Sequence, residues 1–260
     1  MEMAVHELIA ASYFVGLAMA APAARVPMRR QLIVAALALG SALAVAIVAR
    51  QDDPGVRAWA PHGYLAAGYW LPALLVVPPV RPTRFERWLA ASDVGLRKSM
   101  PRVASPFVHV AELAYLLCYP LIPVSFTIVF IFGTPAAIDR FWVTVLIAGY
   151  ACYVSLPWLV SRPPRLCDGV DAASTRVSAL NAAVLRRVSH QLNTFPSGHV
   201  AVAMAAAAVV LSVSPAPGIV IVAVAIAIAI GAVIGRYHYV ADVLWGVVVA
   251  GAAVLFGTRV

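Results

Sequence analysis

The chain has 260 residues, of which 63% are hydrophobic and 12% charged, with a formal net charge of +8. Ordinary globular proteins carry about 25% charged residues, so this composition excludes a soluble domain. Long apolar runs point to a polytopic membrane protein, and the basic excess then reads as loops beside anionic lipid, with no nucleic-acid partner.

In chain order, the apolar runs predict about eight spans, near residues 5–24, 31–49, 63–79, 106–132, 139–160, 195–214, 217–235 and 239–257. The measure is the roughly 20 apolar residues that cross a hydrocarbon core. The first run follows Glu2, His6 and Glu7 and lacks the basic start of a cleaved signal peptide, so it reads as a retained span. The third is short, and Pro72, Pro78 and Pro79 interrupt or end it. Residues 80–105 set Phe85, Trp88, Leu89, Val94 and Leu96 among Arg84, Arg87, Arg97 and Lys98. That is the pattern of an amphipathic helix lying in the interface, with a solvated linker as the alternative. His109 and Glu112, three apart in the fourth run, read as a structural or cavity-lining pair.

Residues 161–194 hold Arg162-Pro163-Pro164-Arg165, a short helix near 174–189 and a basic end at Arg186-Arg187, read as loop residues against anionic lipid. Cys118, Cys152 and Cys167 give no disulfide framework and no zinc pattern, and no other metal-ligand set is visible. The expected fold is an all-α polytopic helical bundle, with residues 1–62 as N-terminal spans outside the core and 63–260 as the membrane-embedded core. Loops 25–30, 80–105 and 161–194 share one side and carry most of the Lys and Arg, whereas Arg50, Arg57, Arg140 and Arg259 lie on the other. The positive-inside rule then places the motif-bearing face, and neither terminus, in the cytoplasm.

Two helix starts carry the chemistry. In Pro196-Ser197-Gly198-His199, proline suits a first turn, and Ser and Gly leave backbone N–H groups for a ligand. A helix N-terminus favours anions, and His199 is placed to reach the same anion. In Arg236-Tyr237-His238-Tyr239-Val240-Ala241-Asp242, His238 and Asp242 are four apart and share a helical face. A carboxylate so placed fixes the imidazole tautomer and frees the other nitrogen to attack phosphorus. His199 then protonates the leaving alkoxide. Guanidinium forks match the charge spread over a phosphoryl group in displacement, and Arg162, Arg165 and Arg236 fall at this face.

The paired motifs, Pro196-Ser197-Gly198-His199 and then His238-x-x-x-Asp242, resemble the type 2 phosphatidic acid phosphatase superfamily over roughly residues 106–257. The resemblance implies a six-helix core and a metal-independent transfer through a phosphohistidine, with no cofactor. It assigns His238 as nucleophile, Asp242 as its orienting partner and His199 as acid and then base. Ser197, the Gly198 N–H and Arg162 would bind phosphate. Two positions depart from the pattern. Ser155 stands where the first motif has lysine, and Arg165 is a candidate replacement. Ala232 stands where the third motif has arginine. Arg236, four residues on, would share its face if helical, about 6 Å along the axis. The Pro-Pro-rich first motif and the His-Tyr-x-x-Asp third motif look more like the inositol phosphorylceramide synthase branch, whose members can pass the group to an alcohol. The expected function is therefore a lipid phosphate or prenyl diphosphate phosphatase. The alternatives are a phosphotransferase acting on a lipid or polyol alcohol and, more distantly, a non-enzymatic lipid transporter. The expected partners are the lipid substrate and surrounding membrane lipid.

Overall fold

Helix starts follow capping residues and prolines. In the computed structural model, which describes residues 2–99, 105–167 and 176–259, Asp53 accepts hydrogen bonds from Gly55 N and Val56 N (2.7 and 3.3 Å) and opens α3 (Pro54–Trp59). After Ala60 the chain continues into α4 (Pro61–Ala73). Thr134 accepts from Ala137 N at 3.2 Å and opens α8 (Pro135–Tyr153). Proline in a first turn forfeits no helical hydrogen bond. The remaining helices are α1 (Val5–Ala20), α2 (Met28–Val48), α5 (Arg84–Ser99), α6 (Ser105–Leu116), α7 (Cys118–Phe132), α9 (Pro164–Cys167), α10 (Arg176–Val188), α11 (Gly198–Val213), α12 (Pro215–Ile234) and α13 (Val240–Gly257). Among the described residues, extended pairing is confined to an isolated bridge between Ser161 and Asn193.

The protein is an all-α membrane bundle. Four helical segments are long and apolar enough to span: Val5–Ala23, α2, α12 and α13. The bent pair α6–α7 adds a fifth when counted as one span. The other three predicted positions also hold helices, α4, α8 and α11, but these do not pass the same test of length and hydropathy. The third predicted run ends early, at Ala73. Pro78 and Pro79 bias the residues before them away from helix, and residues 76–79 are irregular. The fourth run is broken at Leu117 by a 55° bend. Pro120 lacks the N–H that would bond the Leu116 carbonyl, and its ring crowds that oxygen.

Helix α11 is the centre of the bundle. Val200, Ala201, Ala205, Ala206 and Val210 are all fully buried. A helix apolar on every side belongs inside, and its alanines let α7, α8, α12 and α13 come close. Helix α8 is the second buried helix. Its Trp142 is fully enclosed and donates Nε1–H to the Ala58 carbonyl at 2.8 Å. Helix α1 packs on α8 through Tyr13, stacked on Tyr150 at 3.8 Å. Outward faces are apolar, with Leu32, Leu39 and Leu43 exposed on α2 and Leu244, Trp245 and Val248 on α13.

Helix α5 docks against the start of α13. Its buried stripe is Glu86, Leu89 and Asp93, so two acids face the protein while Trp88 and Val94 face outward. The apolar face expected from the sequence is therefore only partly the docking face. The side chains of Leu96, Arg97 and Lys98 lie outside the described residues. The short helix expected near 174–189 is α10, and residues 174 and 175 also lie outside the described set.

We expect Trp142→Ala to lower stability by about 3–5 kcal/mol, the usual cost of emptying a buried aromatic site. Trp245→Ala, on the outward face, should leave it nearly unchanged. Thermal unfolding of both variants in the same detergent checks the contrast.

Candidate active site

The starts of α11 and α13 are bonded to each other. Ser197 caps α11, its Oγ accepting from Val200 N at 3.4 Å. Its own N–H donates to the Asp242 carbonyl at 2.9 Å. Gly246 makes the contact between these helices possible, because a Cβ there would stand 2.9 Å from the Ser197 carbonyl oxygen. Gly198 is equally constrained, since a Cβ would fall 2.5 Å from the Tyr153 ring. The Gly198 N–H, expected to face a ligand, donates to Thr194 Oγ1 at 3.1 Å. The Ser197 and Gly198 N–H groups are thus both engaged within the protein. Ser155, in the position of the absent lysine, has its Oγ 2.8 Å from the Cys152 carbonyl and 2.5 Å from the Phe195 carbonyl. It ties the end of α8 to the residue before Pro196.

The turn after α12 presents His238. Helix α12 stops at Ile234, and Arg236 takes a left-handed backbone (φ 58°). Tyr237 N and His238 N both donate to the Ala232 carbonyl, at 2.9 and 3.0 Å. Arg236 therefore does not share a helical face with Ala232, and the offset argument drawn from the sequence does not apply. His238 is buried, with Nδ1 3.5 Å from Asp242 Oδ2. Asp242 Oδ2 accepts from Tyr239 N (2.9 Å) and Asn193 Nδ2 (2.8 Å), whereas His238 Nδ1 makes no hydrogen bond among the described residues. The His199 and His238 rings meet edge-on, with 5.9 Å between centroids and 61° between planes. His199 Nδ1 is 3.3 Å from the Tyr115 hydroxyl, and Tyr69 and Tyr119 flank its ring. The bend between α6 and α7 is what puts Tyr115 and Tyr119 there.

The arginines divide into two groups. A small cavity of about 20 Å³ lies under the histidines, bounded by His199, His238, Arg165, Thr194, Tyr115 and Ser189 among others. Arg165 lies over the Tyr237 ring at 4.5 Å, and Tyr237 stacks on Tyr115 at 4.1 Å. Neither Arg162 nor Arg236 lines this cavity. Arg162 instead forks onto Glu86, with Nη2 2.7 Å and Nε 3.2 Å from Oε1. Its backbone N–H donates to Oε2 at 3.1 Å. Burial raises the Glu86 carboxyl, but the Arg162 hydrogen bonds and the Cys167 thiol outweigh it and hold it below its ordinary 4.5. A second, larger cavity of about 250 Å³ opens between α4, α7, α8 and α11, and is mostly apolar. Tyr69 and His199 line both. Beside them, burial pushes His190 down to about 4, so this ring is neutral at ordinary pH. Its Nδ1 accepts from Leu192 N at 3.1 Å.

His109 and Glu112 line neither cavity. The Glu112 carbonyl accepts from Asn181 Nδ2 at 2.7 Å. Sequence reasoning missed Tyr115, Asn193, Thr194 and Glu86. A signal existed for the last: an acid amid the apolar positions of an interfacial helix needs a cation to meet its charge.

The Glu86–Arg162 pair yields an acid-dependence prediction. A carboxyl held below its ordinary value adds stability that is complete at neutral pH and fades as pH falls through the lowered value. Wild type should therefore be more heat-stable than Glu86→Gln at about pH 7, and the margin should shrink below about pH 4.5. Unfolding temperatures measured across that range would show it, and a margin independent of pH would count against the pair.

Two helix starts and the short α9 bring a pair of histidines, a buried carboxylate and an arginine together at one end of an apolar bundle. Residues 83–256, more than half of the chain, match the PAP2 superfamily. That stretch begins with α5 and includes every candidate catalytic residue named above. No curated protein and no solved structure matches the chain. The chain belongs to the PAP2 superfamily of membrane phosphatases and phosphotransferases.

Proposed function

We propose that the protein is a lipid phosphate or prenyl diphosphate phosphatase that works through a phosphohistidine on His238. The observation that carries this reading is the pair of histidine rings in edge-on contact where a small cavity lined by Arg165 and Thr194 meets an apolar groove. Asp242 lies on the Nδ1 side of His238, which leaves Nε2 to attack phosphorus. As the N–P bond forms, the P–O bond to the lipid breaks, and His199 gives its proton to the departing oxygen. Water then loses a proton to His199 and attacks phosphorus, the N–P bond breaks and phosphate leaves. Arg165 is the cation nearest this path, and Arg162 can join it only by leaving Glu86. Ser197 and Gly198 hold the geometry of the His199 turn. The apolar groove ends on His199, the side on which an acid must meet the leaving lipid alcohol.

The acceptor distinguishes this reading from a phosphotransferase, in which a lipid or polyol alcohol replaces water in the second step. A panel of lipid phosphates and diphosphates, assayed in EDTA with and without added alcohol, reads released phosphate against new lipid products. We expect His238→Ala to fold normally and to lose turnover by at least about 10³-fold. Wild-type phosphate release from that variant would end the nucleophile assignment, and binding with no turnover in wild type would favour a transporter.

We further propose that the active site faces the cytoplasm, on the strength of the basic loops at that end of the bundle. Reporters fused after Val80, Thr134 and Arg259 should read cytoplasmic at the first site and outside at the other two. The reverse pattern would place the chemistry on the outer face.

A further inference from the structure

We propose that Asn193 is a positioning residue that holds Asp242, and through it His238, in the reactive orientation. The inference rests on the reading of His238 as nucleophile. Asn193 is 1% exposed, and both hydrogens of its amide are committed. One goes to Asp242 Oδ2 at 2.8 Å and the other to Ser161 Oγ at 3.0 Å. Its backbone N–H donates to the Ser161 carbonyl at 2.9 Å. The amide cannot be turned over, because Oδ1 would then face a carboxylate, acceptor against acceptor. In the orientation that remains, Asn193 Oδ1 is buried without a hydrogen-bond partner. An unpaired buried acceptor is unfavourable, so the site keeps the amide donor at the expense of its oxygen.

The choice of a neutral donor has chemical sense. A lysine or arginine here would neutralise Asp242 and weaken its pull on the imidazole. An aspartate would repel it. Asparagine and the Tyr239 N–H together fix Oδ2 while leaving the carboxylate its full charge. Asn193 does not line either cavity, so it acts through Asp242 and not on substrate.

The test uses the purified full-length chain in mixed micelles with phosphatidic acid, lysophosphatidic acid and a prenyl diphosphate as probes. For Asn193→Ala we expect kcat to fall about 10- to 100-fold, the range for losing one hydrogen bond to a charged group, with KM changed by less than about twofold. The isosteric Asn193→Asp should lose more, since it sets a second carboxylate against Asp242, and again in kcat with KM held. Ser161→Ala removes the other amide partner alone and should keep wild-type kcat and KM. Equal losses in Asn193→Ala and Ser161→Ala would mean that Asn193 only pins a loop, and would overturn the proposal. So would wild-type kcat in Asn193→Asp. Turnover that survives His238→Ala, or no turnover of any probe by wild type, would instead overturn the nucleophile reading beneath it.

Discussion

One fully buried carboxylate organises this protein. Asp242 is 0% exposed in the first turn of a membrane helix, where an unpaired anion is strongly disfavoured. Its charge is met by the Tyr239 N–H and the Asn193 amide, and its backbone carbonyl by the Ser197 N–H. Those partners come from two stretches of chain, residues 193–197 and the residue that precedes α13. Satisfying them draws the start of α11, the residues before Pro196 and the start of α13 to one point. His199 and His238 meet edge-on as a result.

A second acid–base arrangement lies over the first. Helix α5 brings Glu86 to Arg162 and Asp93 to the Val240 N–H, at 3.0 Å. Phe85 of the same helix packs edge-on against Phe195. A single amphipathic helix thus touches all three motif segments. It does so with acids on its inner face because the segments it covers offer a guanidinium and an unbonded helix start. The bend at Leu117 completes the enclosure from the other side by turning Tyr115 and Tyr119 toward His199.

Much of this was readable from the residues. Apolar runs located the helices because membrane helices satisfy their backbones internally. The two motifs were legible because they are local, with the histidine of each placed at a helix start by its own neighbours. Their meeting was not legible, since it depends on hydrogen bonds between residues 32 to 49 positions apart. Asn193 gave no local sign for the same reason. Arg236 misled because its left-handed turn breaks the helical register that the spacing assumed. Ser155 read as a missing charge, whereas its hydroxyl closes the loop before Pro196. The paired role of Arg162 was hidden because its partner is 76 residues away on α5.

The small size of the cavity under the histidines has a kinetic consequence. About 20 Å³ has room for one water and none for a phosphoryl group. On the proposed reading, a substrate enters only by parting the walls, and the work of doing so comes from the rest of the molecule it belongs to. A lipid tail in the apolar groove beside His199 supplies that work through the area it buries, whereas a bare phosphate brings nothing to offset it. Selectivity for membrane substrates over the abundant soluble phosphates then follows from how tightly the resting site is closed, without a residue dedicated to rejecting them.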